Sequence, residues 1–107
     1  MRQGDIHLRG DLPEGMSAAV LVLSGPAYNS AGTGRVLFCP VITSSETTGD
    51  YLTVHRVAYE DGGVTMMGYA VPELTMWLPA SALSPQPVGR VKDLAAVLAT
   101  VRALYFA

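Results

Sequence analysis

The chain is poor in cysteine and in charge. Cys39 is its one cysteine, which excludes an internal disulfide and points to a reducing compartment. Only 15% of the residues are charged, and seven Lys+Arg against nine Asp+Glu leave a net charge of −2. That balance excludes a globally basic nucleic-acid binder, so any RNA or DNA site has to be a local patch. Long apolar runs are also missing. The stretches Ala18 to Leu23 and Leu94 to Ala99 fall far short of the roughly 20 residues a spanning helix needs. After Met1-Arg2-Gln3-Gly4-Asp5 come His7, Arg9, Asp11 and Glu14, leaving no room for an apolar signal core. A soluble, cytoplasmic protein with no membrane association is expected. HExxH, paired CxxC, GxGxxG, Walker and GxSxG patterns are all absent, so no metal and no cofactor is expected.

What is present is a hydrophobic chain of ordinary domain size. Half of its 107 residues are hydrophobic, which rules out intrinsic disorder and fits one domain over residues 1–107. Apolar runs separated by glycine and proline predict strands. Asp5 to Arg9 alternates, with Ile6 and Leu8 expected inside and His7 and Arg9 outside. Ala18 to Leu23 and Arg35 to Thr43 are almost continuously apolar, as in strands buried on both faces. Pro40 removes a ladder donor from the second of these and suggests an edge or a bulge. Tyr51 to Ala58 and Val64 to Tyr69 flank Glu60-Asp61-Gly62-Gly63, a hairpin signal. A short strand over Leu74 to Leu78 completes the set. Val91, Leu94, Leu98, Val101 and Tyr105 recur at helical spacing, predicting one C-terminal helix. The fold class is therefore mainly β (α+β), a small, strongly bent sheet or partly open barrel closed by that helix.

Candidate chemical groups are sparse. Gly32-Thr33-Gly34-Arg35 precedes a strand rather than a helix, so it lacks the dipole of a phosphate loop. His7, His55 and Cys39 have no metal-ligand spacing. Cys39 reads as a small core residue, and the two histidines as solvent-facing strand residues. Hydroxyls cluster at strand ends, at Ser24 and at Thr43-Ser44-Ser45, where such side chains commonly bond local backbone. Arg9, Arg35 and Arg56 are isolated, each read singly as a surface residue.

Taken in order, these segments resemble the MazF/PemK-type toxins. Arg2-Gln3-Gly4-Asp5-Ile6 followed by Asp11-Leu12-Pro13 is similar to their opening "RGDI…DL.P". Ala19-Val20-Leu21-Val22-Leu23-Ser24 resembles the "PAVVVS" strand, and Tyr28-Asn29 with Gly34 through Ser44 resembles "N…vvv.PiTS". Pro72-Glu73-Leu74 and the terminal helix fall where the family has its second sheet segment and its last helix.

The resemblance implies a small SH3-like barrel and a homodimer, neutralised by a cognate antitoxin, that cuts single-stranded RNA without metal by attack of the ribose 2′-OH. Such attack needs a proton acceptor, a donor to the leaving 5′-oxygen, and cationic groups facing the phosphorane. The family places a Thr or Ser of "PiTS" there, which is Thr43 here with Ser44 beside it. It also places an arginine before the "PAVVVS" strand, where this chain has Gly15-Met16-Ser17-Ala18. Arg9, leaving the first strand toward the same loop, is the expected replacement. Ser44, Arg35, Arg56 and Ser24 are the expected RNA-binding residues, with Arg35 supplied by a second subunit. Two alternatives remain open. A CcdB-like gyrase poison would share the "GR…V.P" strand, although its action depends on a Trp-Gly-Ile terminus and this sequence finishes Leu104-Tyr105-Phe106-Ala107. A catalytically inactive homologue would bind only its antitoxin. In each case Val71, Leu74, Met76, Trp77 and Leu78 form an apolar cluster suited to a partner.

Overall fold

The computed structural model describes residues 1–10, 19–42, 49 and 51–106. Among these, the strands are β1 (Asp5–Leu8), β2 (Ala19–Val22), β3 (Arg35–Ile42), β4 (His55–Asp61), β5 (Val64–Ala70), β6 (Met76–Pro79) and β7 (Gly89–Arg90). A one-turn helix α1 (Pro26–Asn29) and a C-terminal helix α2 (Ala95–Phe106) accompany them. All described strand pairs are antiparallel. The order is β4-β5-β3-β2-β1-β7, and β6 joins β3 off that path. The two ends of the order meet at a bridge between Tyr59 and Val91, so the sheet curls into a nearly closed barrel. The expected α+β barrel with a terminal helix is the fold observed.

The apolar runs become β2 and β3 because both faces of these strands are covered. Leu21, Cys39 and Val41 point inward with Ile6, Val57 and Ala70, and Val97 and Val101 of α2 pack onto them. Val20, Val36 and Phe38 point outward and are covered by Leu83. Burying one such Val or Phe stabilises the fold by about 1.5–3 kcal/mol, so the two layers together far outweigh the few ion pairs.

Pro40 does not lie at a sheet edge. Strand β3 is central, pairing β2 on one side and both β6 and β5 on the other. Its second partner changes between Phe38, opposite Met76, and Val41, opposite Ala70. The Pro40 carbonyl accepts from Val71 N–H at 3.0 Å on that side. The missing proline donor thus falls in the gap between β6 and β5, where no strand residue asks for it.

Other boundaries move for physical reasons. The β4–β5 hairpin starts four residues later than the alternation suggests, and Leu52 is almost fully exposed. Gly62 and Gly63 adopt φ of +58° and +83°, the two left-handed positions of a tight hairpin turn. They fix Asp61 opposite Val64, and the pairing runs back from there to His55. Helix α2 begins at Ala95 rather than Val91, because Val91 is used to close the barrel. The apolar seam of α2 is Val97 and Val101, while Tyr105 is half exposed and donates its hydroxyl to the Glu73 carbonyl at 3.3 Å.

His7 is a further correction: it is only 1% exposed. The segment from Leu83 to Val88 runs along the free edge of β1. Ser84 N–H donates to the Leu8 carbonyl at 2.7 Å and Val88 N–H to that of Ile6 at 2.8 Å. His7 Nδ1–H donates to the Ser84 carbonyl at 2.8 Å. His55 is also engaged, its Nε2 lying 2.6 Å from Thr100 Oγ1 on α2.

Closure leaves no room for a side chain at Gly89, where a Cβ would run into the Glu60 carbonyl and the Tyr59 ring. Gly89→Ala is expected to destabilise the protein by about 2–3 kcal/mol through overpacking. Urea unfolding measures this, and an unchanged midpoint would mean the seam is looser than the backbone indicates.

Candidate functional site

Thr43 and Ser44 lie outside the described residues, as does the segment Gly15-Met16-Ser17-Ala18. The described sheet nevertheless fixes what surrounds the end of β3. Ile42 is opposite Tyr69 on β5, and Tyr69 is opposite Arg56 on β4. On the other side Val41 is opposite Ala19, and Ala19 is opposite Leu8. Arg9 follows Leu8 and Ile42 follows Val41, so each lies one residue beyond that row. Each arginine is two strand spacings, about 10 Å, from the end of β3.

Both arginines also belong to one face. Asp5, His7, Val20, Phe38 and Pro40 share the outer side of the sheet, and Ile42, Tyr69 and Arg56 continue it by alternation. The Arg9 guanidinium carbon sits 6.0 Å from the Phe38 ring centroid, a cation–π distance worth about 0.5–1 kcal/mol where exposed. This contact settles the facing of Arg9, which strand parity alone leaves one residue uncertain.

Arg9 forms one wall of a slot of about 410 Å³ whose other sides are Phe38, Pro40, Leu74, Met76 and Glu73. Glu73, in the sequence only a member of the Pro72-Glu73-Leu74 segment, brings a carboxylate to the same slot as Arg9. Its Oε1 accepts from Thr53 N–H at 2.7 Å and from the Thr53 hydroxyl at 3.1 Å. A cation on an aromatic ring, an apolar lining and an anchored carboxylate suit a flat, polar-edged ligand such as a nucleobase.

The other candidates are elsewhere. Arg35 is exposed at the start of β3, opposite Pro79, seven residues and about 23 Å from Ile42. Ser24 is buried beyond β2. Its hydroxyl donates to Asn29 Oδ1 and accepts from Leu37 N–H at 3.2 Å, while Asn29 Nδ2 donates to the Ser24 carbonyl at 2.8 Å. These bonds tie α1 to the sheet. The expected apolar cluster divides: Val71 is buried, whereas Leu74, Met76 and Trp77 are exposed, and Trp77 lies 4.8 Å from the Tyr28 ring. Among the described residues, no three His, Cys, Asp or Glu side chains converge as a metal site requires. None of their helices is long and apolar enough to cross a membrane.

A family model, type II toxin-antitoxin system toxin Rv0299, matches residues 4–104. The chain belongs to that family of type II toxins. The toxin also has solved structures as neighbours. In one crystal form of MazE-MazF from Deinococcus radiodurans, a chain superposes with a TM-score of 0.62 at 24% identity, covering 96% of this chain and 88% of that one. In another form the TM-score is 0.63 at 23% identity, with 97% and 91% covered. At such identities the likeness is one of fold. No curated protein matches the sequence.

Cys39 takes no part in this site. It is buried in the inner layer, and burial pushes its thiol up to about 12, offset in part by a hydrogen bond with the Val71 backbone. A raised value keeps the thiol protonated, hence unreactive, through the neutral range. Native toxin is expected to resist a thiol reagent up to pH 9 and to react completely once unfolded in guanidinium. Rapid labelling of the native protein at pH 8 would show that Cys39 is accessible.

Proposed function

We propose that this toxin is a metal-independent endoribonuclease that cuts single-stranded RNA at the C-terminal end of β3, works as a cytoplasmic homodimer and is silenced by an antitoxin. The observation that carries the reading is the strand register that sets Arg9 and Arg56 level with Ile42 on one outer face. Thr43 follows Ile42 in the chain. The resemblance to MazF/PemK toxins gives that threonine, with Ser44, to the scissile phosphate.

The chemistry follows from these groups. The ribose 2′-OH attacks the adjacent phosphorus, its proton passes to an acceptor, and the bond to the 5′-oxygen of the next nucleotide breaks, that oxygen taking its proton from solvent. The products are a 2′,3′-cyclic phosphate and a 5′-hydroxyl. Arg9 faces the phosphorane as a fork of N–H donors that stays charged throughout. Glu73, held by Thr53, supplies the acceptor. Thr43 orients a phosphate oxygen, and Arg56 and Ser44 hold the flanking backbone. Arg35 stands too far along β3 to act within its own subunit, so its contribution comes from the second copy. Ser24 shapes the surface beside it through Asn29.

The half-exposed Trp77 and Met76, with Leu74 beside them, form an apolar surface of the kind that marks partner contacts. Both structural neighbours are chains of MazE-MazF crystals, which supports an antitoxin as a further partner.

The test is incubation with mixed single-stranded RNA in EDTA. Cleavage with cyclic phosphate ends is expected. Arg9→Ala and Thr43→Ala are expected to lower kcat about 10²–10³-fold, by analogy with the loss of one preorganised donor. Arg56→Ala is expected chiefly to raise KM and to flatten the salt dependence. An absence of cleavage at high enzyme, with a binding-competent antitoxin, would assign the chain to the inactive class. Light scattering is expected to give twice the 11.3 kDa chain mass, and a monomer mass would remove the dimer.

A further inference from the structure

A cleft of about 960 Å³ lies away from Arg9 and contains none of the residues discussed for cleavage. It opens beside the start of β1 and beside β7. Its margin carries Arg2, Arg90 and Lys92, three of the seven Lys and Arg residues in the chain. Two carboxylates accompany them. Asp5 Oδ1 accepts from Arg90 at 2.9 Å, and Glu60 pairs with Lys92 at 3.1 Å. The local sum of these five side chains is +1, against −2 for the whole chain. Asp5 is nearly buried while Arg90 is half exposed, so the carboxylate fixes the guanidinium and leaves its outward edge for a second anion.

His7 stands in the wall of the same cleft. Its Nδ1 must carry a hydrogen, because the atom it faces is the Ser84 carbonyl. In the neutral ring Nε2 is then an acceptor. That nitrogen is buried and has no hydrogen-bond partner among the described residues, an exception among buried polar atoms that leaves an acceptor to be satisfied. Asp5 and His7 are alternate residues of one strand, so the Cα atoms of the residue that anchors Arg90 and of the acceptor's residue are separated by about 6.7 Å.

The site thus asks for two things at once: an anion at its margin and a hydrogen-bond donor at its wall. A carboxylate side chain offers the first without the second. A nucleotide offers both, its phosphate for the arginines and a ribose hydroxyl or base amino group for His7. We propose that this cleft is a nucleotide-binding subsite, separate from the cleavage site, which holds one unit of single-stranded RNA with phosphate on Arg2 and Arg90 and a donor hydrogen on His7 Nε2. The assignment to RNA rests on the proposed activity, whereas the nucleotide chemistry does not.

The test reads binding rather than cleavage. Wild-type toxin labelled with ¹⁵N is titrated with the four nucleoside monophosphates, with inorganic phosphate, and with a 2′-O-methyl oligonucleotide that cannot be cut. The monophosphates are expected to shift the His7 Nε2 and Arg90 side-chain resonances together, and inorganic phosphate to shift Arg90 alone. His7→Asn keeps a donor for the Ser84 carbonyl and removes the acceptor, and it is expected to weaken nucleotide binding about tenfold. Arg2→Ala is expected to weaken it by a similar factor and to reduce its salt dependence. An unmoved His7 resonance at millimolar nucleotide, or equal affinity in His7→Asn, would overturn the subsite. Competition by the oligonucleotide supports RNA as the source, and its failure to compete would overturn that assignment in favour of free nucleotides. A toxin that cuts no RNA can still pass the nucleotide test, and an active nuclease can still fail it.

Discussion

Everything in this fold is referred to β3 and to the exchange of partners along its one edge. Eight residues, Arg35–Ile42, pair β2 on one side, while β6 and then β5 share the other. The exchange falls at Pro40, where β3 offers no donor. With the exchange fixed, β5 aligns Tyr69 with Ile42, and the tight glycine turn carries the alignment on to Arg56. The same strand, through β2, sets the level of Arg9.

The two faces of the sheet divide the work. The inner face, with α2 laid across it, holds the aliphatic core and the inert thiol of Cys39. The outer face carries the polar groups, each steadied by a neighbour: Arg9 by the Phe38 ring, Asp5 by Arg90, His7 by Ser84, Glu73 by Thr53. With so few charges in the chain, placement matters more than number. A net negative protein can still offer a phosphate two guanidinium groups if register brings them to one strand end.

Much of the architecture was legible from periodicity. Continuous apolar runs named β2 and β3, the double glycine named the hairpin, and the terminal stripe named α2. What stayed hidden depends on contacts between distant segments. His7 read as solvent-facing because the alternation of β1 is honest locally, but Ser84, 77 residues away, covers it. Arg56 read as an isolated surface residue, since its relation to Ile42 passes through two strand pairings that no local pattern encodes. Glu73 was visible only as part of a motif, and its pairing with Thr53 needed the fold. The short β7 has too few residues to carry a period.

Photo-crosslinking tests the account most directly. Toxin is irradiated with single-stranded RNA containing 4-thiouridine, and the adducts are located by mass spectrometry. The account predicts adducts on Tyr69 and on the peptide spanning Phe38 to Ile42, reduced when Arg9 and Arg56 are both replaced by alanine. Efficient crosslinking that spares both of these positions would contradict an RNA site at the end of β3.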